Sequence, residues 1–199
     1  GERILSCTFL VHPGGGQRDG LIHAIYGGVY GKDHGVLDGH ERTGPLMPPL
    51  EHLGPAAACG LHLHSGHGFG PDAAGDLFTC AFNLRTLFRH HLVPEGATFT
   101  VETTPFLQAD GVDFHPTDVI EDADGSLLLV DTGGWYKLCC PTSQLEKPAV
   151  LGAIWRVRRD GADASPDPRG LSLDWRSMAP GRLANLLADA RPAVVARAT

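Results

Sequence analysis

Residues 117–134 read TDVIEDADGSLLLVDTGG. Two apolar-alternating runs, TDVIED (117–122) and SLLLVD (126–131), flank a short Asp-Gly turn, and GAIWRV (152–157) follows as a third run. Alternation at period two, rich in aliphatic and β-branched residues, is a strand signal, and Asp-Gly between two such runs is the turn chemistry of an antiparallel hairpin. The same order stands earlier in the chain: LHLH (61–64), DLFTCAF (76–82), RTLFRH (85–90) and ATFTVE (97–102). RILSCTFLV (3–11) and LIHAIY (21–26) supply a third, partial copy. No helical pattern of about 12 residues interrupts these runs before residue 180, which argues against the crossover helices of a parallel sheet. Repeated antiparallel units of roughly 40 to 55 residues are the mark of propeller blades. The expected fold class is all-β, a partial β-propeller of about three blades.

Composition agrees. The 199 residues include 26 Gly and 15 Pro, a share well above the usual ~12 %, and 42 % are hydrophobic, which points to a turn-rich folded domain. Net charge is −7, a poor balance for gripping nucleic acid. No apolar run approaches the ~18 residues of a membrane span, and GERILSCTFLV has neither the charged start nor the cleavage site of a signal peptide. Because the chain starts at Gly1 and runs straight into a strand, we expect a section of a longer protein, its targeting signal outside this stretch. Its unclosed sheet edges are expected to favour association.

The character changes after Asp160. Residues 1–160 are expected to form the partial propeller, 161–179 a linker, and 180–199 a helical start. Leu183, Leu186 and Leu187 share one helix face, and Pro192 suits the first turn of a second helix. The pair reads either as the opening of a HEAT-type repeat or as a helical tail on the β domain.

Five cysteines are too few for a disulfide scaffold, and none stands in C-x-x-C-H, so this stretch attaches no c-type haem. Cys139 and Cys140 are adjacent; a turn with one of them buried is the expectation. Eleven histidines are many, and His62, His64 and His67 lie in GLHLHSGHGFG. Residues i and i+2 share a strand face, so His62 and His64 could hold Zn²⁺ or Cu²⁺ with His67 closing the site; a solvated His-rich strand edge is the alternative. Asp122, Asp124 and Asp131 around Gly125 partly match a calcium loop, but SLLLVD is a strand where a helix would be needed, and a β-turn explains the same residues.

HPGGGQRDGLIHAIYGGVYG (12–31) resembles a motif of glucose/sorbosone dehydrogenase-like six-bladed propellers close to H-G-P-x-x-x-D-E-x-N-x-I-x-x-G-x-N-Y-G, with His12, Pro13, Asp19, Gly27, Gly28, Tyr30 and Gly31 fitting. The resemblance implies a calcium site at the acidic pair; Asp19 carries over, while Gly20 stands where the Glu belongs. It also implies binding of pyrroloquinoline quinone by an Arg-x-Arg and a Lys, positions held here by His115, Thr117 and Asn83.

The likeness continues through PAAACGLHLHSG, GDLFTCAFNLRTLFRH and DFHPTDVIEDADGSLLLVDTGGW, over roughly residues 10–160. LMPPLEHLGPAAACGL, HPTDVIEDADGSLLLVDTGGWYKLCCPTSQL and KPAVLGAIWRVRR are also similar to bacterial proteins named membrane-bound dehydrogenases with a PVC-type haem-binding domain. In that group a propeller precedes HEAT-like repeats and a cytochrome domain. This implies a periplasmic or secreted setting, downstream HEAT-like and cytochrome partners in the same protein, and oxidation of a small carbohydrate or alcohol with electrons passed to a c-type haem. His115, Thr117, Asp118, Asp131 and Trp135 are the channel residues expected to face such a ligand. The alternative is a propeller that binds or scaffolds without the quinone and calcium chemistry.

Overall fold

The computed structural model describes residues 3–11, 17–134, 147–162 and 165–199. The readings on His12, Pro13, Trp135 and the Cys139–Cys140 pair lie outside them. Three antiparallel sheets account for the strands. β1 (Ile4–Val11), β2 (Gln17–His23) and β3 (Glu51–Gly54) form the first. β4 (Ala58–Leu63), β5 (Leu77–Ala81), β6 (Thr86–Glu95) and β7 (Thr98–Gln108) form the second, and β8 (Pro116–Glu121), β9 (Leu127–Asp131) and β10 (Ala153–Val157) the third. Neighbours in sequence are neighbours in each sheet, as hairpin chemistry dictates. The expected 117–122, 126–131 and 152–157 runs are β8, β9 and β10, with Val119, Leu129 and Trp155 in one cross-strand row.

Several boundaries differ from the sequence reading. LIHAIY leaves the sheet after His23, because Gly27 at φ 78 and the Gly28 N–H to Ile25 carbonyl bond of 2.9 Å turn the chain there. β3 was not expected: EHLG is too short to show a period. β6 and β7 run on as a long ladder from Thr86 opposite Gln108 to Glu95 opposite Thr98. Pro105 falls where that ladder shifts register, on an outer strand that tolerates a missing donor.

The sheets stack face to face, and this explains the burial of β5. Every residue of Leu77–Ala81 is buried, so its alternation is of direction rather than of environment. Phe78 and Cys80 point into a core with Leu87, Val119, Leu127 and Leu129, between the second and third sheets. Ala81 packs the other way, against Leu53 and Ala56 of the first. Phe106 stands edge-on to Phe78, ring centroids 4.9 Å apart, and to Phe69 at 5.7 Å. Burying a Phe of this kind contributes about 1.5–3 kcal/mol. β4 touches both β1 and β8, which brings strands of all three sheets together. Gly60 permits the contact with β8: a Cβ there would lie 2.5 Å from the Asp118 Cα.

Cys59 and Cys80 belong to this core. Burial pushes both thiols up from their ordinary value, and the nearby Asp118 carboxylate adds to the effect. A thiol that stays protonated is a poor nucleophile. Alkylation of the native protein at pH 8 followed by peptide mapping is therefore expected to leave Cys59 and Cys80 unlabelled until denaturant is added. Labelling of either in the folded state would contradict the packing.

Beyond the sheets, residues 165–179 are tied by their own hydrogen bonds. The Asp167 carboxylate accepts from the N–H groups of Leu171 (2.8 Å) and Ser172 (3.1 Å), and the Trp175 indole donates to the Gly170 carbonyl. Two short helices follow, α1 (Pro180–Leu186) and α2 (Pro192–Ala198), each with proline in its first turn. The shared leucine face is only partly covered: Leu183 and Leu186 are half-buried, whereas Leu187 is exposed. Val194 of α2 is the fully buried residue, beside Gly170. No helix among the described residues is long and apolar enough to cross a membrane.

Candidate functional site

One end of the sheets gathers most of the residues singled out from sequence. Pro116 opens β8, and His115 just before it is buried. Its backbone N–H donates to Asp131 Oδ1 (2.9 Å), and its ring Nδ1–H donates to the Gly133 carbonyl (2.8 Å). The imidazole lies 4.7 Å, centroid to centroid, from Phe82, whose chain neighbour is Asn83. Asn83 is exposed, and its N–H holds the Ala56 carbonyl at 2.9 Å. Thr117 donates its hydroxyl to the Val130 carbonyl (3.3 Å), while Asp118 is exposed on β8. Asp19 reaches the same end, where Oδ2 accepts the Ala57 N–H at 2.6 Å.

Asp131 organises this end. It is buried at the last position of β9, and Oδ1 takes the N–H groups of both His115 and Gly133 (2.8 Å), closing the loop after the strand. Oδ2 accepts the Trp155 indole N–H at 3.0 Å. Trp155 is 51 % exposed, so its polar edge is held and much of its ring is open. Sequence reading missed Trp155: Asp131 and Trp155 are 24 positions apart, and only the pairing of β9 with β10 makes them partners.

The residues here do not fit the implied cofactors. A quinone tricarboxylate needs free cationic donors. At the three matching positions the His115 Nδ1–H and the Thr117 hydroxyl are taken by backbone carbonyls, and Asn83 carries no charge. Calcium wants six to eight oxygens, yet Asp19 stands in no group of metal-binding side chains among the described residues.

The opposite end of the sheets holds the histidine run, and the geometry there corrects the expected metal grip. His64 is buried and its Nδ1 accepts the Gly66 N–H at 2.9 Å, so in the neutral ring the proton sits on Nε2 and no lone pair is left there for a metal. His62 and His64 turn their Nε2 atoms toward Glu121, at 3.7 and 3.9 Å, rather than toward His67. Among the described residues no group of three or more His, Cys, Asp or Glu is arranged for a metal ion. The 122–126 segment is the hairpin turn, with Gly125 N–H on the Asp122 carbonyl at 2.8 Å. Its carboxylates face arginines: Asp122 meets Arg156 at 2.8 Å, and Asp124 meets Arg158 at 2.9 Å.

His90 is a second buried imidazole. Its Nδ1–H donates to Thr103 Oγ1 (2.9 Å), which in turn donates to Glu51 (3.0 Å), and its Nε2 has no partner. Burial pushes its pKa down to about 4, the Asp76 carboxylate opposing. With an unfolded value of 6.5, the unfolded chain takes the proton first as pH falls. Stability is thus full above pH 6.5 and declines between 6.5 and about 4, by on the order of 3 kcal/mol. Denaturant titrations at pH 7.5 and 4.5 are expected to show this loss, and a His90→Gln variant should flatten part of it. An identical pH dependence in that variant would remove His90 as the cause.

No protein-family model matches the sequence, and no curated protein matches it. Among solved structures the chain is similar to one from Thermus thermophilus described as an oxidoreductase (glucose dehydrogenase), with a TM-score of 0.52 and 18 % identity. The match covers 78 % of this chain and 41 % of that one, so this chain corresponds to less than half of its length. At this identity the likeness concerns fold: three stacked antiparallel sheets in a propeller-like arrangement shared with a glucose dehydrogenase-like oxidoreductase.

Proposed function

We propose that this chain is a section of a six-bladed propeller protein of sugar or alcohol dehydrogenase type, periplasmic or secreted, whose electrons pass to a c-type haem on another part of the protein. The three sheets would be three of the blades, and α1 with α2 the opening of HEAT-like repeats. The fold likeness to a glucose dehydrogenase-like structure supports the oxidoreductase class. The observation that carries the reading for this section is the Asp131 lock, which holds the Trp155 indole by its polar edge with the ring half open, next to the His115 loop. The open face of the Trp155 ring suits stacking on a neutral polyhydroxy ligand. Because His115, Thr117 and Asn83 supply no free cation, this section contributes to the substrate side, and any quinone would be held by groups outside it.

One observation favours a second reading: spent or neutral donors at all three quinone positions are also what a recognition module without redox chemistry would have. Calorimetric titration of the whole protein with pyrroloquinoline quinone, with and without Ca²⁺, separates the two. Micromolar Ca²⁺-dependent binding together with dye reduction by an aldose supports the dehydrogenase. Sugar binding without quinone binding transfers the assignment to a recognition module. Absence of both sinks the proposal.

A further inference from the structure

The Asp122–Ser126 turn lies at the far end of β8 from His115, about 17–20 Å away for a strand of six residues. Guanidinium groups converge on it. Arg156 and Arg169 meet Asp122, and Arg156 and Arg158 meet Asp124. Both carboxylates are also used locally, Asp122 by the Ala123 N–H (2.7 Å) and Asp124 by the Ser126 N–H (3.1 Å). Their acceptor capacity is therefore largely filled. Burial alone would raise the Asp124 carboxyl, but its bonds to Ser126 and Arg158 outweigh that and hold it well below the usual range, so it stays ionised as the anchor of its arginines.

Arg159 is different. Its contact is the Phe69 carbonyl at 3.5 Å, at the limit of a hydrogen bond, and among the described residues no carboxylate lies within ion-pair distance. Asp72 faces it across Gly70, where Asp72 Oδ1 and Arg159 Nη1 each lie 2.8 Å from the position a Cβ would take. Arg158 and Arg159 both line a cavity of about 270 Å³ together with Asp124, which Arg158 neutralises at 2.9 Å; Phe69 and Pro168 wall it and Gly68 and Gly125 complete the lining. Those two glycines let the β4–β5 loop and the β8–β9 turn touch: a Cβ on Gly125 would fall 2.2 Å from the His67 carbonyl oxygen.

From this arrangement we infer that the cavity is a binding site for a small oxyanion, with the Arg159 guanidinium as its main donor and Arg158 beside it. A planar fork of N–H groups is matched to the two oxygens of a carboxylate or the face of a phosphate. The apolar wall leaves room for a compact organic body rather than for a large ligand, since the volume is at the lower limit of small-molecule sites. The ligand class is thus a small organic carboxylate or a phosphate ester, and a neutral sugar lacks the charge that this site answers. The site is independent of the dehydrogenase reading and stands or falls without it.

The test is calorimetric or NMR titration of the protein at low ionic strength with sodium gluconate, inorganic phosphate and, as the neutral control, glucose. Gluconate, phosphate or both should bind, with affinity falling at least tenfold in Arg159→Gln and partly restored in Arg159→Lys. Binding should also weaken as salt is raised. Arg159 is exposed and anchors no strand, so circular dichroism and melting of the variant are expected to match those of the parent. Phosphate alone would place a phosphate ester in the site, and gluconate alone a carboxylate. No binding of either anion at 10 mM-scale concentrations, or binding that survives Arg159→Gln unchanged, would overturn the inference.

Discussion

Gly125→Ala is expected to destabilise the fold by about 3–5 kcal/mol, lowering the melting temperature by roughly 10 °C. Two effects add. Gly125 has φ 77, a backbone region that costs an L side chain free energy, and it is buried. The new methyl would also meet backbone at every nearby atom: the His67 carbonyl oxygen at 2.2 Å, its carbon at 2.4 Å and the Gly68 Cα at 2.7 Å. Backbone cannot rotate away as a side chain can, so the β8–β9 turn must part from the β4–β5 loop. Gly181→Ala is the matched control. It lies in the first turn of α1 with open space around it, and replacement there should be neutral or stabilising by up to ~1 kcal/mol. Thermal and denaturant unfolding of the two variants, measured together, checks both directions. An unchanged midpoint for Gly125→Ala would mean that the second and third sheets do not touch as described.

Asp131→Ala is expected to cost a similar amount, about 3–5 kcal/mol, for a different reason. Three donors lose their acceptor at once: the N–H groups of His115 and Gly133 and the indole of Trp155. Leaving a buried donor unsatisfied costs about 1–3 kcal/mol, and hydrogen bonds to a charged group are the stronger kind. Asp131→Asn separates the roles. Its one oxygen can still serve the two backbone donors, but its amide nitrogen cannot accept from the indole. We therefore expect a loss of about 1–2 kcal/mol together with release of the Trp155 indole proton, seen by NMR as faster exchange with solvent. Any sugar affinity of this end should fall in both variants. If Asp131→Asn left the Trp155 signal unmoved, the lock on the indole would be refuted.

The strands from residue 58 onward were legible because their chemistry is local. Alternating apolar residues and the Asp-Gly turn at 124–125 need nothing distant to be read, and β8 and β9 lie within a residue of the runs expected for them. β3 was illegible because four residues carry no period, and the extension of the β6–β7 ladder to Glu95 and Gln108 depends on cross-strand pairing that either strand alone does not announce. At the candidate site, the sequence singles out His115, Asp118 and Asp131; the structure brings His115 and Asp131 into direct contact and leaves Asp118 exposed. The role of Asp131 was not legible, since a carboxylate's partners are chosen by whichever donors the sheet brings within reach.

The histidine run illustrates the same division. Period two correctly put His62 and His64 on one side of β4, facing Glu121, but the tautomer of His64 is set by a single N–H from Gly66. That bond, and not the spacing, decides that the pair does not present two lone pairs to a metal. By itself the sequence determined an all-β chain of antiparallel hairpins with a short helical end, because hydrogen-bonding pattern and turn geometry follow from neighbours along the chain. Only the tertiary structure decided which polar groups are spent and which remain open, because desolvation and hydrogen-bond partners are properties of what packs across from a residue: Asp131 closed on Trp155, His90 neutral in the core, and Arg159 facing a cavity with no carboxylate among the described residues at ion-pair distance.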